Sequence, residues 1–185
     1  MSTALRLTVE EYARLGATGA FDELGRRLEL IHGEIREMTP IGPLHGDVVA
    51  SMTEWSVEAT VGTELKVYVQ TDVVLDDSQP VPDLVWMNRR RYRDRLPGPA
   101  DIQLVIEVAD SSLAYDLGEK AALYASQGIA EYWVVDTKAT QIHVHTRPSA
   151  AGYQSLRQVR PGEALAPACR PSATLDMVEL FASAS

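Results

Sequence analysis

Two carboxylates in the 185-residue chain stand out by where they sit. Asp83 follows Pro82 at the entry to the apolar run Leu84-Val85-Trp86-Met87, and Glu107 is the single charge inside Gln103–Ala109, QLVIEVA. Burying an unpaired carboxylate costs on the order of several kcal/mol, so Glu107 is expected to be paired or bound to a metal. The 24 residues between the two acids suit neighbouring strands. Adjacent strands lie about 4.8 Å apart, so two carboxylates on one face of such a pair can share a hard cation. Magnesium suits them best, because it takes oxygen ligands, keeps several waters and binds through one or two carboxylates plus a substrate phosphate. Alone, Asp83 reads first as a turn former after proline. Lys120, 13 residues past Glu107, is one of three lysines against 14 arginines. Without context it is an ordinary (i, i+4) helix partner of Asp116.

These residues need a scaffold. Thr8 with Glu11 is a capping box, predicting a helix from about Val9 to Leu15. Apolar residues flanking His32-Gly33 predict a hairpin over 28–38 with Gly33 in its turn. Val48, Val49, Met52, Trp55 and Ala59 recur at helical spacing, predicting a helix from His45 to about Val61. Strands are expected within Leu65–Leu75, at Leu84–Met87, at Gln103–Ala109, at Glu131–Asp136 and at Thr140–Thr146. Asp116 with Glu119 marks a second capped helix running to Gly128, and Leu175–Phe181 is expected to dock on the core. His143 and His145 have the spacing of a metal pair. Ile142 and Val144 take the core face, however, so the histidines are expected on the solvent face of an edge strand. The order predicts an α/β (α+β) fold with a central mixed sheet between helices, preceded by a helix and a hairpin, as one domain over 1–185.

Composition narrows the function. Hydrophobic residues make up 45% and charged residues 23% of the chain, an ordinary globular balance. Cys169 is the only cysteine, which excludes a disulfide framework or a CxxC site and suits a reducing compartment. Apolar stretches are short and Arg6, Glu10 and Glu11 come early, so a cytoplasmic protein without a membrane span is expected. The net charge of −9 argues against a dedicated high-affinity nucleic-acid binder. Arg89, Arg90, Arg91, Arg93 and Arg95 nevertheless form a basic island, either a solvated loop or a phosphate contact. No GxGxxG, GxxxxGK[ST], HExxH or GxSxG motif occurs, leaving carboxylate chemistry.

Glu29-Leu-Ile-His-Gly-Glu34, His45 after the Pro40 and Pro43 loop, Pro82-Asp83-Leu84, and Leu104-Val-Ile-Glu107-Val recur here in order. Ser111-Ser112, Asp116 with Lys120 and Tyr124, and Gly128-Ile-Ala-Glu-Tyr-Trp-Val-Val-Asp136 follow them. Together they resemble the Uma-type restriction endonucleases, a branch of the PD-(D/E)XK nuclease superfamily, from about Thr8 to Phe181. The resemblance implies a restriction-endonuclease-like core and a metal-dependent endonuclease acting on nucleic acid, DNA in the first instance, with a homodimer plausible. It implies Asp83 and Glu107, with the carbonyl of Val108, as ligands of Mg²⁺ or a substituting Mn²⁺. It makes Lys120 the third catalytic group and places Glu29 and His45 in the site. The superfamily's usual lysine stands two residues after the glutamate, where this chain has Ala109, so Lys120 on the following helix takes its place. In that mechanism Lys120 orients or deprotonates the attacking water. Two other readings stand beside it: a nuclease fold that binds or assembles without turnover, and a magnesium-dependent hydrolase of small phosphate esters.

Overall fold

In the computed structural model, which describes residues 4–182, Thr8 caps helix α1 (Val9–Ala17). Its side chain accepts from the Glu11 backbone while the Glu11 carboxylate accepts from the Thr8 N–H. Strands β1 (Leu28–Ile31) and β2 (Glu34–Glu37) then form an antiparallel hairpin. Its turn residues His32 and Gly33 both have positive φ, 49° and 76°, the left-handed pair that matches strand twist in two-residue hairpins. Gly33 is needed twice over, since a Cβ there would also meet Arg6 Cβ at 2.8 Å. The hairpin is anchored by pairing of Leu30 with Gln79 and by the Gly33 N–H donating to the Asp77 carbonyl at 2.9 Å.

Helix α2 (Pro43–Thr60) leads into a six-stranded sheet. Its strands are β3 (Leu65–Val69), β4 (Leu84–Asn88), β5 (Ile102–Ala109), β6 (Glu131–Asp136), β7 (Gln141–Ser149) and β8 (Gly152–Val159). They lie in chain order, antiparallel except for the parallel pair β5–β6. The crossover between those two is helix α3, made of Leu113–Tyr115, a π-helical turn Asp116–Lys120, and Ala121–Ser126. A short helix, α4 (Met177–Leu180), closes the described chain.

Alternation along the strands builds two cores. Leu84 and Trp86 of β4, with Leu104, Ile106 and Val108 of β5, pack against Val48, Val49 and Met52 of α2. Val85 and Met87, with Val105 and Ala109, pack instead with Leu123 and Tyr124 of α3. A sheet covered on both faces explains why β4 and β5 read as unbroken apolar runs. The expected mixed sheet between helices is therefore what forms. Among the described residues, no helix is long and apolar enough to cross a membrane.

Three local expectations change. Only Leu65–Val69 of the stretch to Leu75 is strand. The helix expected from Asp116 starts earlier, at Leu113, so Asp116 lies inside it and accepts from the Ser112 hydroxyl at 2.5 Å. Glu119 turns outward to Arg36 at 3.4 Å instead of closing a capping box. The third change is β8, which pairs along β7 and removes its open edge. His143 and His145 are consequently buried, 5% and 7% exposed, rather than lining a solvent face. The Ala121–Ser126 segment of α3 lies over β7 and β8, and His145 packs on Tyr132 and Tyr153 with ring centroids 5.5 Å away in each case.

Burial lowers the His145 pKa to about 4, with the neighbouring His143 adding to the effect. An unfolded histidine titrates near 6.5, so between those values the unfolded chain binds a proton that the folded one refuses, and stability falls as pH falls. His145→Phe is expected to remove about 2 kcal/mol of the wild type's stability loss between pH 7.5 and pH 5. Urea titrations at the two pH values check this. Equal losses in variant and wild type would show that His145 does not govern the acid limb.

Candidate active site

One step beyond the last paired residues of β4 and β5, Leu84 and Ile106, the chain presents Asp83 and Glu107 side by side. The Asp83 N–H donates to Glu107 Oε2 at 3.3 Å, and the Val108 N–H donates to Asp83 Oδ2 at 2.9 Å. The separation read from the sequence thus becomes lateral contact between strands. Both residues are buried, Asp83 at 6% and Glu107 at 4% exposure. Glu107 shares its sheet face with Val105 and Ala109, the face that α3 covers.

The π-helical turn brings Lys120 onto this pair. Its Nζ lies 2.9 Å from Glu107 Oε1 and 3.3 Å from Glu29 Oε2, with the side chain 5% exposed. The surface pair with Asp116 expected from helix spacing is replaced by a buried carboxylate–ammonium–carboxylate triad. π-helical turns are rare, and they concentrate at functional sites. Tyr124 donates its hydroxyl to Glu107 Oε1 at 3.0 Å, and Tyr115 donates to Glu29 Oε1 at 3.2 Å. Glu29 is therefore not a solvent-facing hairpin residue; it is 3% exposed. His45, in the first turn of α2, places Nε2 3.1 Å from Asp83 Oδ2.

Burial pushes the Glu107 pKa up to about 8; the Lys120 ammonium opposes that rise, and the charges of Asp83, Asp116 and Glu29 add to it. Burial also works against the charge on Lys120, but Glu107, Glu29 and Asp116 together outweigh it and hold the ammonium protonated. For His45, the hydrogen bond to Asp83 raises the pKa against burial and the charge of Arg27.

The five side chains named from the sequence, Glu29, His45, Asp83, Glu107 and Lys120, all line one cleft of about 380 Å³. Asp110, Ser111, Ser112 and Tyr115 line it too, as do Arg27 and Arg36. Tyr115, Arg27 and Arg36 were not singled out by the sequence. The hairpin offered a signal for Arg36, since a two-residue turn at His32-Gly33 sets Arg36 opposite Glu29. Among the described residues, no three His, Cys, Asp or Glu side chains gather closely enough to hold an ion by themselves. The Arg89–Arg95 island is remote from all this. It follows the end of β4 away from Asp83, and so sits at the opposite end of the sheet. Three of its members are committed locally: Arg89 donates to the Thr63 carbonyl at 2.7 Å, while Arg95 and Arg90 pair with Asp101 at 2.7 and 3.6 Å.

Comparison with known proteins bears on the fold and the family. A crystal structure described as "a putative nuclease belonging to DUF820 from Anabaena variabilis" superposes with a TM-score of 0.76 at 16% identity, over 95% of this chain and 97% of the other. At that identity the likeness speaks for the fold. No curated protein matches the sequence. The profile of the Uma2 family, described as "Putative restriction endonuclease", matches residues 9–177, a span that includes every cleft residue named above. By that match over most of its length, the chain belongs to the Uma2 family of nuclease-like proteins.

Proposed function

We propose that this protein is a metal-dependent endonuclease hydrolysing phosphodiester bonds of nucleic acid, with DNA the favoured substrate. The observation that carries the reading is the contact of Asp83, Glu107 and Lys120, all buried, in a cleft of a nuclease-like fold. The donor set fits a hard cation. Asp83 Oδ1 has no hydrogen-bond partner among the described residues, whereas Oδ2 is held by His45 and the Val108 N–H. Two adjacent buried carboxylates also repel each other until a cation neutralises them. Asp83 and Glu107, joined by the carbonyl of Val108, would hold Mg²⁺ or Mn²⁺. When bound, the ion would polarise the scissile phosphate and lower the pKa of a bound water.

The chain's own residues do the rest. Lys120 keeps its proton at Nζ, so it acts as a fixed positive charge offsetting the charge that develops on the phosphate, and not as the base that takes a proton from water. Glu29, steadied by Tyr115, holds that ammonium together with Glu107. His45 Nε2, 3.1 Å from Asp83 Oδ2, orients that carboxylate. A homodimer would place one such site on each strand of a duplex.

The test is a gel assay with supercoiled plasmid, single-stranded DNA and RNA in Mg²⁺, Mn²⁺ or EDTA. Cleavage is expected with metal and not with EDTA, and Glu107→Gln is expected to abolish it. Cleavage undiminished in EDTA would overturn metal dependence. Binding without cutting would favour an assembly role, and hydrolysis of small phosphate esters alone would favour a phosphoesterase.

A further inference from the structure

The cleft poses an electrostatic problem for a polyanionic substrate. Glu29, Glu37, Asp83, Glu107, Asp110 and Asp116 line it, against the cations Lys120, Arg27 and Arg36. Lys120 is buried and already shared between Glu107 and Glu29. The positive charge that a phosphate can meet on entering the cleft therefore comes from the hairpin.

Strand geometry places it there. Arg36 stands directly opposite Glu29 across the β1–β2 ladder, and directly opposed residues share a face. Arg27, two residues before Glu29, shares that face as well, and its carbonyl accepts from the Met38 N–H at 2.8 Å, extending the ladder. One face of the hairpin thus carries a gradient: Glu29 buried against Lys120, with Arg36 and Arg27 half-buried at the cleft wall. Arg36 binds Glu34 at 2.7 Å and Glu119 at 3.4 Å through Nη2 alone. Its Nη1 makes no hydrogen bond among the described residues, whereas Nε is buried. A guanidinium nitrogen left unengaged at the wall of a cleft can donate to a phosphate oxygen, and the planar fork of arginine suits phosphate geometry.

We infer that Arg27 and Arg36 form a phosphate clamp that grips the nucleic-acid backbone beside the scissile phosphate, so that the hairpin rather than the Arg89–Arg95 island supplies the substrate-positioning charge. The inference rests on the nuclease reading and specifies which residues hold the substrate. The clamp binds phosphodiester, the chemistry DNA and RNA share.

The experiment compares wild type, Arg27→Gln/Arg36→Gln, Arg27→Lys/Arg36→Lys and the remote pair Arg91→Gln/Arg93→Gln. Each is titrated with fluorescein-labelled duplex DNA, single-stranded DNA and RNA in Ca²⁺ across a salt series. Cleavage in Mn²⁺ and the melting-temperature rise on adding Mn²⁺ alone are measured in parallel. The hairpin glutamine pair is expected to bind about tenfold or more weakly and to lose close to two units of salt slope, roughly 0.9 for each phosphate contact on duplex DNA. It should keep the Mn²⁺ response, which shows that the carboxylates are still in place. The lysine pair should recover the salt slope but only part of the affinity, because an ammonium cannot grip bidentately. The remote pair should bind like wild type. Unchanged affinity and slope in the hairpin glutamine pair, with wild type cutting normally, overturns the clamp alone, and so does an equal loss in the remote pair. A wild type that neither binds nor cuts any of the three substrates overturns the nuclease reading and the clamp with it.

Discussion

Lys120→Met is expected to lower nuclease turnover by roughly 10² or more, the scale of a lost charge-stabilising group. It is also expected to weaken the fold by about 3 kcal/mol, because removing one member of a buried ionic cluster leaves its partners uncompensated. The second effect follows from the triad, since Glu107 and Glu29 both lose the ammonium that lies 2.9 and 3.3 Å from them. A lysine paired with Asp116 on a helix surface would have cost no more than about 0.5 kcal/mol. The two losses can be separated by assaying at a temperature where circular dichroism reports the variant fully folded. Lys120→Arg should rescue little, because the slot is closed on every side, the residue being only 4% exposed, and a guanidinium is larger. If wild type cuts DNA and folded Lys120→Met cuts at the same rate, the lysine is structural, and His45 becomes the residue to test.

The carboxylates make the second large effect. Mn²⁺ or Mg²⁺ at about 100 times its dissociation constant should stabilise the wild type by about 2.7 kcal/mol, because an ion that binds only the folded state shifts the unfolding equilibrium by mass action. For a domain of this size that is roughly 6–10 °C in melting temperature. Asp83→Asn with Glu107→Gln should abolish the rise and the cleavage together, while retaining the amide geometry that accepts from Val108 and Tyr124. A metal response in the double variant equal to that of wild type would remove the pair from the site.

Much of this site could be read from residue order because its strongest signal is local. Glu107 is a lone charge in an apolar strand, and a proline announces Asp83 at the next strand's entry. What escaped was what only packing decides. Strand β8 carries Gln154, Ser155, Arg157 and Gln158, polar residues suited to a sheet edge, and its apolar alternation is too thin to see. Missing β8 turned β7 into a supposed edge, so the error at His143 and His145 was inherited rather than independent. Lys120 was visible as a candidate, but its partners were not: helix spacing points to Asp116, whereas Glu29 reaches it from 91 residues upstream. The Arg island reads in one dimension as either a solvated loop or a phosphate contact, and the antiparallel β4–β5 ladder carries it to the far end of the sheet from the cleft.

The parallel pairing of β5 with β6 has a kinetic consequence. Parallel neighbours require a crossover, and here the crossover is α3, the segment that carries Lys120. The helix that joins the two central strands docks only by dehydrating Lys120 against Glu107. Completing the slow, non-local part of the fold and assembling the site are therefore one event. A chain caught short of it would expose both an unpaired strand edge and an unfinished cleft.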